Sequence, residues 1–253
     1  MKSKVVIGIV LLCSIFLFCL PEIKSKTSQE VETKFRDPLW RGESACIYDL
    51  VKDEMSIGLA SFEISSGKLK NEKVYLIEGK IVMGGVSDIS KITIRAKDLK
   101  PMKTEKNMLL PQGETKIEAE YFGNKVKLTA KTSQAPPQRM RLSLPEDAYD
   151  NEEILMLLRT LPFKVGLQME FSNFSPAAGC TYPSVVRVLT EESVQTPAGT
   201  FECFKVELKV AMANITHYAW YTKDYPHYLV KYDNREIVFK LKEVLQDGEK
   251  VEF

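Results

Sequence analysis

Strand-length segments of alternating polarity recur along this chain, each ended by turn residues, and Thr196-Pro197-Ala198-Gly199-Thr200 is the sharpest of these turns. Proline presets φ for a type I turn, and glycine supplies the positive φ that a bulged three-residue hairpin needs. With Thr196 set opposite Thr200, the flanking segments pair Thr190 with Val206, Val188 with Leu208 and Val186 with Val210. The other face then carries Glu191 beside Lys205, an opposite-charge cross-strand pair. Turn chemistry and polarity agree on a half-buried antiparallel hairpin.

The same reading extends along the chain. Strands are predicted at Ala45–Val51, Met55–Ile64, Lys73–Met83 and Ile89–Lys97, with Gly84-Gly85 as a turn. Within Met55–Ile64 the apolar phase switches from Met55, Ile57 and Leu59 to Phe62 and Ile64, which predicts a bulge. Gly123-Asn124 is a two-residue hairpin turn that sets Tyr121 against Val126, Ala119 against Leu128 and Ile117 against Ala130. Strands at Gly166–Phe171, Thr216–Thr222, Tyr228–Tyr232 and Glu236–Leu245 complete the set. A turn at Asp233-Asn234 would pair Val230 with Ile237, Tyr228 with Phe239 and Lys231 with Glu236. One segment has a helical period. Asp150 can cap it, Glu153 holds the capping-box position, and Ile154, Leu155, Leu157, Leu158 and Leu161 form its apolar stripe up to Pro162, leaving Arg159 in the last turn. About ten strands and one short helix predict an all-β fold, an antiparallel, strongly curved sheet or incomplete β-barrel. The helix Asn151–Leu161 would cover part of its concave face.

Composition narrows the function classes. The chain has 253 residues with 35 basic against 34 acidic side chains, so no basic face is available for nucleic acid. Lys2 and Lys4 precede an apolar run, Val5–Leu20, followed by Pro21 and a polar stretch. That layout predicts a secretory signal over residues 1–25, or an anchor through residues 5–20 if it is not cleaved. Cys13 and Cys19 lack the small preceding residue of a lipidation signal. A polar linker (26–42), a single β-rich domain (43–247) and a short tail (248–253) follow. Cys46, Cys180 and Cys203 are an odd set, and in the hairpin register above Cys203 faces Ser193, so buried thiols are expected.

Chemistry-bearing motifs are sparse. His217 and His227 with Asp224 match no metal spacing, and no nucleophile elbow, HExxH, P-loop or GxGxxG occurs. Neither a catalytic residue nor a metal site nor a cofactor is predicted. Aromatics gather late, at Tyr218, Trp220, Tyr221, Tyr225, Tyr228 and Tyr232, where they can pack as strand residues or line a ligand pocket.

Leu158-Arg159-Thr160-Leu161-Pro162 with Gly166, then Thr196-Pro197-Ala198-Gly199-Thr200-Phe201 with Cys203, Lys205 and Val206, then Trp220-Tyr221-Thr222-Lys223-Asp224 with Tyr228–Tyr232, occur in a telling order. In this order the chain resembles a family of exported bacterial proteins known as a domain of unknown function, DUF 3108. The resemblance covers roughly the last hundred residues well. It implies a signal-bearing protein of the periplasm or cell envelope, rich in β-structure, with no established activity and no catalytic residues to transfer. A weaker likeness, of architecture alone, is to periplasmic lipoprotein carriers, whose open barrels hold acyl chains under a helical lid.

Three functional readings follow. The first is a non-enzymatic envelope protein that binds a lipid or another apolar or amphipathic ligand, with Ile154, Leu157, Leu158, Leu161, Tyr218 and Trp220 as candidate ligand-binding residues. The second is an interaction module for an envelope protein or glycan. The third is a hydrolase of unrecognised carboxylate chemistry.

Overall fold

The structure, a computed structural model, describes residues 35, 40, 42–210 and 215–253. The expected signal or anchor and most of the linker lie outside the described residues. Eight strands form a first meander: β1 (Glu43–Lys52), β2 (Met55–Leu69), β3 (Glu72–Met83), β4 (Val86–Arg95), β5 (Pro101–Leu110), β6 (Gly113–Phe122), β7 (Lys125–Thr132) and β8 (Ala135–Ser143). After β9 (Ala148–Asp150) comes the helix α1 (Ile154–Leu157), extended by one 3-10 turn (Leu158–Thr160). A second meander follows: β10 (Gln168–Ser175), β11 (Cys180–Thr196), β12 (Gly199–Val210), β13 (Ile215–Thr222), β14 (Leu229–Asp233) and β15 (Val238–Gln246). A last short strand, β16 (Glu249–Lys250), pairs with β15.

One sheet takes up all sixteen strands. The two meanders join where β1 pairs antiparallel with β15, and the free ends of the path are β8 and β9. Only β9 and β10 pair in parallel. The sheet is an incomplete barrel, as its sequence pattern predicts. Its ends approach without pairing: Val126 and Leu128 of β7, Ala148 of β9 and Phe174 of β10 share a small buried core. Strand β8 stays exposed along nearly its whole length and carries Pro136 and Pro137, which cannot donate to a further ladder.

Alternation sorts the side chains. On β3, Tyr75, Ile77, Gly79, Ile81 and Met83 point inward, while Glu78 points out and pairs with Lys91 of β4 at 2.7 Å. The β6–β7 hairpin has the expected register in every pair, with Gly123 at φ +60°. Strand β2 does bulge, but at Ile57, skipped between the pairs Leu50–Gly58 and Val51–Ser56, ahead of the expected switch between Leu59 and Phe62, so Leu59 points outward.

Two registers differ from expectation. In the β11–β12 hairpin Thr196 pairs with Gly199 and Val194 with Phe201, so Pro197 and Ala198 alone make the turn. The Ala198 N–H donates to the Leu241 carbonyl on β15, a tertiary bond that local turn chemistry cannot foresee. A bulge at Leu189 then shifts the register again. Val188 faces Val206, Val186 faces Leu208, Glu191 faces Phe204 and Cys203 faces Glu192. Between β14 and β15, Tyr232 pairs with Phe239 and Lys231 with Lys240. The Asn234 side chain accepts the N–H groups of Glu236 and Ile237 at 3.0 and 2.7 Å, which builds a longer loop than the expected Asp233-Asn234 turn.

The helix is shorter than the expected Asn151–Leu161 and lies deeper. Glu152 N–H donates to Asp150 Oδ1 and Asp150 N–H to Glu153 Oε1, but these bonds brace the turn before the helix, whose N-cap is Glu153 and has no side-chain cap bond. Regular α-helix nevertheless ends at Leu157, where the Thr160 hydroxyl takes the Leu157 carbonyl at 2.8 Å and Pro162 follows. Ile154, Met156, Leu157, Leu158 and Leu161 are all within 2% of complete burial. A stripe laid on a sheet would leave one face wet. This segment is buried almost all round, so it plugs the barrel where a surface lid was expected.

Candidate functional site

Beside the plug lies a cavity of about 500 Å³. Its apolar wall is built by Leu50, Phe62 and Ile81 from the first meander, Leu208 and Phe239 from the second, and Ile154, Leu155 and Met156 from the plug. Gly79 lets Ser90 and Phe62 pack closely over β3 in this wall, since a Cβ there would lie 2.9 Å from Ser90 Oγ and 3.4 Å from the Phe62 ring.

One end of the cavity is polar. Strand β5 turns Thr104, Lys106 and Met108 inward, and β4 turns Asp88 and Ser90 inward. Lys106, only 7% exposed, pairs with Asp88 at 2.8 Å and with both Glu152 oxygens at 3.0 Å. Burial pushes the Asp88 carboxyl up, against the pull of Lys106. Asp88 Oδ1 and Asn173 Oδ1 are buried with no partner, and both residues line this end. An uncompensated buried acceptor costs free energy comparable to a lost hydrogen bond, so the pair defines where a donor on a ligand would be best received. On the opposite wall, burial lowers the His217 imidazole to about 4. It is therefore neutral near pH 7 and shares a hydrogen bond through Nδ1 with the Tyr232 hydroxyl, 2.6 Å away.

A second carboxylate group anchors the plug. Asp150 is fully buried and accepts from the Thr104 hydroxyl at 2.5 Å and from the Tyr121 hydroxyl. Burial first, and the Glu152 charge second, push Asp150 up to about 7. Glu153, equally buried, is raised well above its usual range by burial and by Asp150. These groups fix the entry to α1 and do not line the cavity.

At the other end of the plug lies a pocket of about 410 Å³, walled by Trp40, Ile64, Tyr225, Pro226 and Tyr228 around Arg159. Arg159 is 3% exposed.

The predicted ligand residues are divided by this geometry. Ile154 lines the cavity. Leu157, Leu158 and Leu161 are core residues of the plug and touch no cavity wall. Tyr218 and Trp220 lie on the outer face, because they alternate with the inward Ala219 and Tyr221. There Trp220 donates to Glu192 at 2.6 Å beneath the Lys231 ammonium, 4.4 Å from its ring. The late aromatics are thus two sets on opposite faces. His217 and His227 are also apart, the first in the cavity wall and the second against Phe163 and Tyr225. Among the described residues no three His, Cys, Asp or Glu side chains are grouped to hold a metal ion. Cys46 and Cys203 are buried and Cys180 half-buried, and none of the three forms a disulfide.

The family model for DUF3108, a protein of unknown function, matches residues 47–250, from the start of the barrel into its last strand. The chain belongs to the DUF3108 family. No curated protein matches it. Among solved structures it is similar to the β-barrel-like protein of the domain of unknown function DUF1849 from Brucella abortus. That likeness has 11% identity and a TM-score of 0.48 over 81% of this chain and 96% of that chain. In this DUF3108 chain the polar end of the cavity escaped sequence reasoning, because Asp88, Lys106, Glu152 and Asn173 come from four separate elements. A signal was present in β5, where a lysine takes an inward place between Thr104 and Met108.

Proposed function

We propose that this protein is exported and binds an amphipathic molecule without transforming it, the apolar part lying against α1 and the polar head at Lys106, Asp88 and Glu152. The observation that carries this reading is the cavity itself. About 500 Å³ of space beside the plug falls in the range of small-molecule sites, roughly 300–1,000 Å³. Its wall is mainly hydrophobic, with one buried ion cluster at Lys106, Asp88 and Glu152 and a second charged pair, Arg235 and Glu236, in the loop between β14 and β15. The two unpartnered acceptors favour a head that carries a hydroxyl or an amine. Both carboxylates at that end are committed to Lys106, which supports binding over general acid–base chemistry. Export rests on the basic, apolar, polar order of residues 1–25. Among the described residues no helix is long and apolar enough to cross a membrane.

The interaction-module reading has less support. Trp220 is covered by charged side chains, and the open edge β8 is blunted by two prolines.

Titration with the neutral fluorophore 1-N-phenylnaphthylamine tests the proposal. Saturable enhancement is expected from the wild-type chain and its loss from Ile81→Trp, which fills a half-buried position of the wall. Equal enhancement in the two proteins, or none in the wild type, removes the cavity as the site.

A further inference from the structure

Arg159 is the one buried cation described so far without a counter-charge. Among the described residues no carboxylate lies within 4.0 Å of it, whereas Lys106, equally buried, holds two. Its hydrogen bonds are long: Nε and Nη2 to the Pro226 carbonyl at 3.4 Å each, and Nη1 to Met156 Sδ at 3.9 Å. A guanidinium has five N–H donors, so these contacts leave hydrogens on both Nη atoms unused. The Tyr228 and Trp40 rings lie 5.3 and 5.8 Å from its central carbon, and such faces recover only part of what desolvation costs a charge. Its positive field reaches Cys46, Tyr48, Tyr221 and Tyr228, favouring the deprotonated form of each. All four nevertheless stay raised, because burial outweighs that field, so none supplies the negative charge.

We propose that the Arg159 pocket is an oxyanion site, taking a carboxylate or phosphate group through the forked Nη1 and Nη2 donors between the Trp40, Tyr225 and Tyr228 rings. Planar bidentate contact is what a guanidinium offers and an ammonium does not. About 410 Å³ of space beside the guanidinium is ample for such a group and a small organic body attached to it. The pocket shares no lining residue with the amphipathic-ligand cavity, although Met156 of that cavity's wall touches Arg159 Nη1.

The chain has two tryptophans, so in a Trp220→Phe background all tryptophan emission comes from Trp40 in the pocket wall. Sodium phosphate and sodium acetate are titrated separately against sodium chloride at constant ionic strength, with emission and Tm recorded. Saturable change with phosphate, acetate or both, absent with chloride, is expected, and the stronger of the two names the oxyanion class. Phosphate also raises Tm by exclusion from any protein surface, so Arg159→Gln is the control. It should lose the emission change and at least tenfold in affinity while folding normally. Arg159→Lys retains charge without the fork and should also weaken binding about tenfold, which keeps the test decisive if the glutamine variant does not fold. A response shared by chloride, or unchanged affinity in whichever variant folds, overturns the site. Neither outcome touches the phenylnaphthylamine result, so the two proposals fail separately.

Discussion

The two ends of the plug handle buried charge in opposite ways. At the cavity end, Lys106 satisfies Asp88 and Glu152, and the cluster spans three elements: β4, β5 and the turn before α1. At the other end, Arg159 is as deeply buried and among the described residues meets a carbonyl, a thioether and ring faces. Closed ion pairs hold a wall in shape. An unpaired cation is where the proposed oxyanion would bind. The difference implies that removing each cation will have unlike consequences. Breaking a buried pair strands its partners, whereas removing an unpaired charge strands nothing.

Comparing the methionine variants of the two cations tests this most harshly. Lys106→Met leaves two carboxylates facing each other and is expected to cost about 3 kcal/mol. Arg159→Met, in buffer free of oxyanions, is expected to cost less than about 1 kcal/mol or to stabilise. Urea unfolding checks both, and equal losses would break the comparison.

A smaller effect should separate the buried carboxylates from the buried imidazole by pH. Asp150 has its folded value raised to about 7 from an ordinary 3.8. The folded state therefore holds a proton that the unfolded chain releases, and this stabilisation is lost as pH rises from about 4 to 7. His217 has its folded value lowered to about 4 from 6.5, so its contribution is full above 6.5 and is lost as pH falls towards 4. The two slopes oppose, and because Asp88 and Glu153 are raised as well, wild-type stability should fall as pH rises across this window. Asp150→Asn should gain on the wild type by the order of 2 kcal/mol between pH 4 and 7. His217→Gln should gain on it in the reverse direction. Parallel stability profiles for the three proteins would show that neither group titrates on unfolding.

How legible these regions were follows from what each strand has on its inner face. Strands β6 and β7 are apolar inward and charged outward, with a two-residue turn between them, so every pair could be read. Strand β5 escaped because its inward places are held by Thr104 and Lys106, which hide a period of two. Strand β8 escaped because it is exposed almost throughout, with Leu142 alone half-buried against the small core. Hairpin β11–β12 was found but misregistered, since the Ala198–Leu241 bond and the bulge at Leu189 depend on the rest of the barrel. Trp220 and Tyr221 are adjacent and so point to opposite faces of β13, a consequence of strand geometry that grouping the aromatics overlooked. Arg159 reads as an ordinary helix-end cation. Its burial comes from Trp40 and Tyr228, which are distant along the chain.

The central claim is that the cavity beside α1 holds an amphipathic molecule. Native mass spectrometry of the full chain, purified without detergent, tests it most directly. The account expects a non-covalent adduct of lipid-like mass that leaves on collisional activation and is missing from Ile81→Trp. A wild-type spectrum showing only the bare chain, or an adduct carried equally by Ile81→Trp, would contradict it.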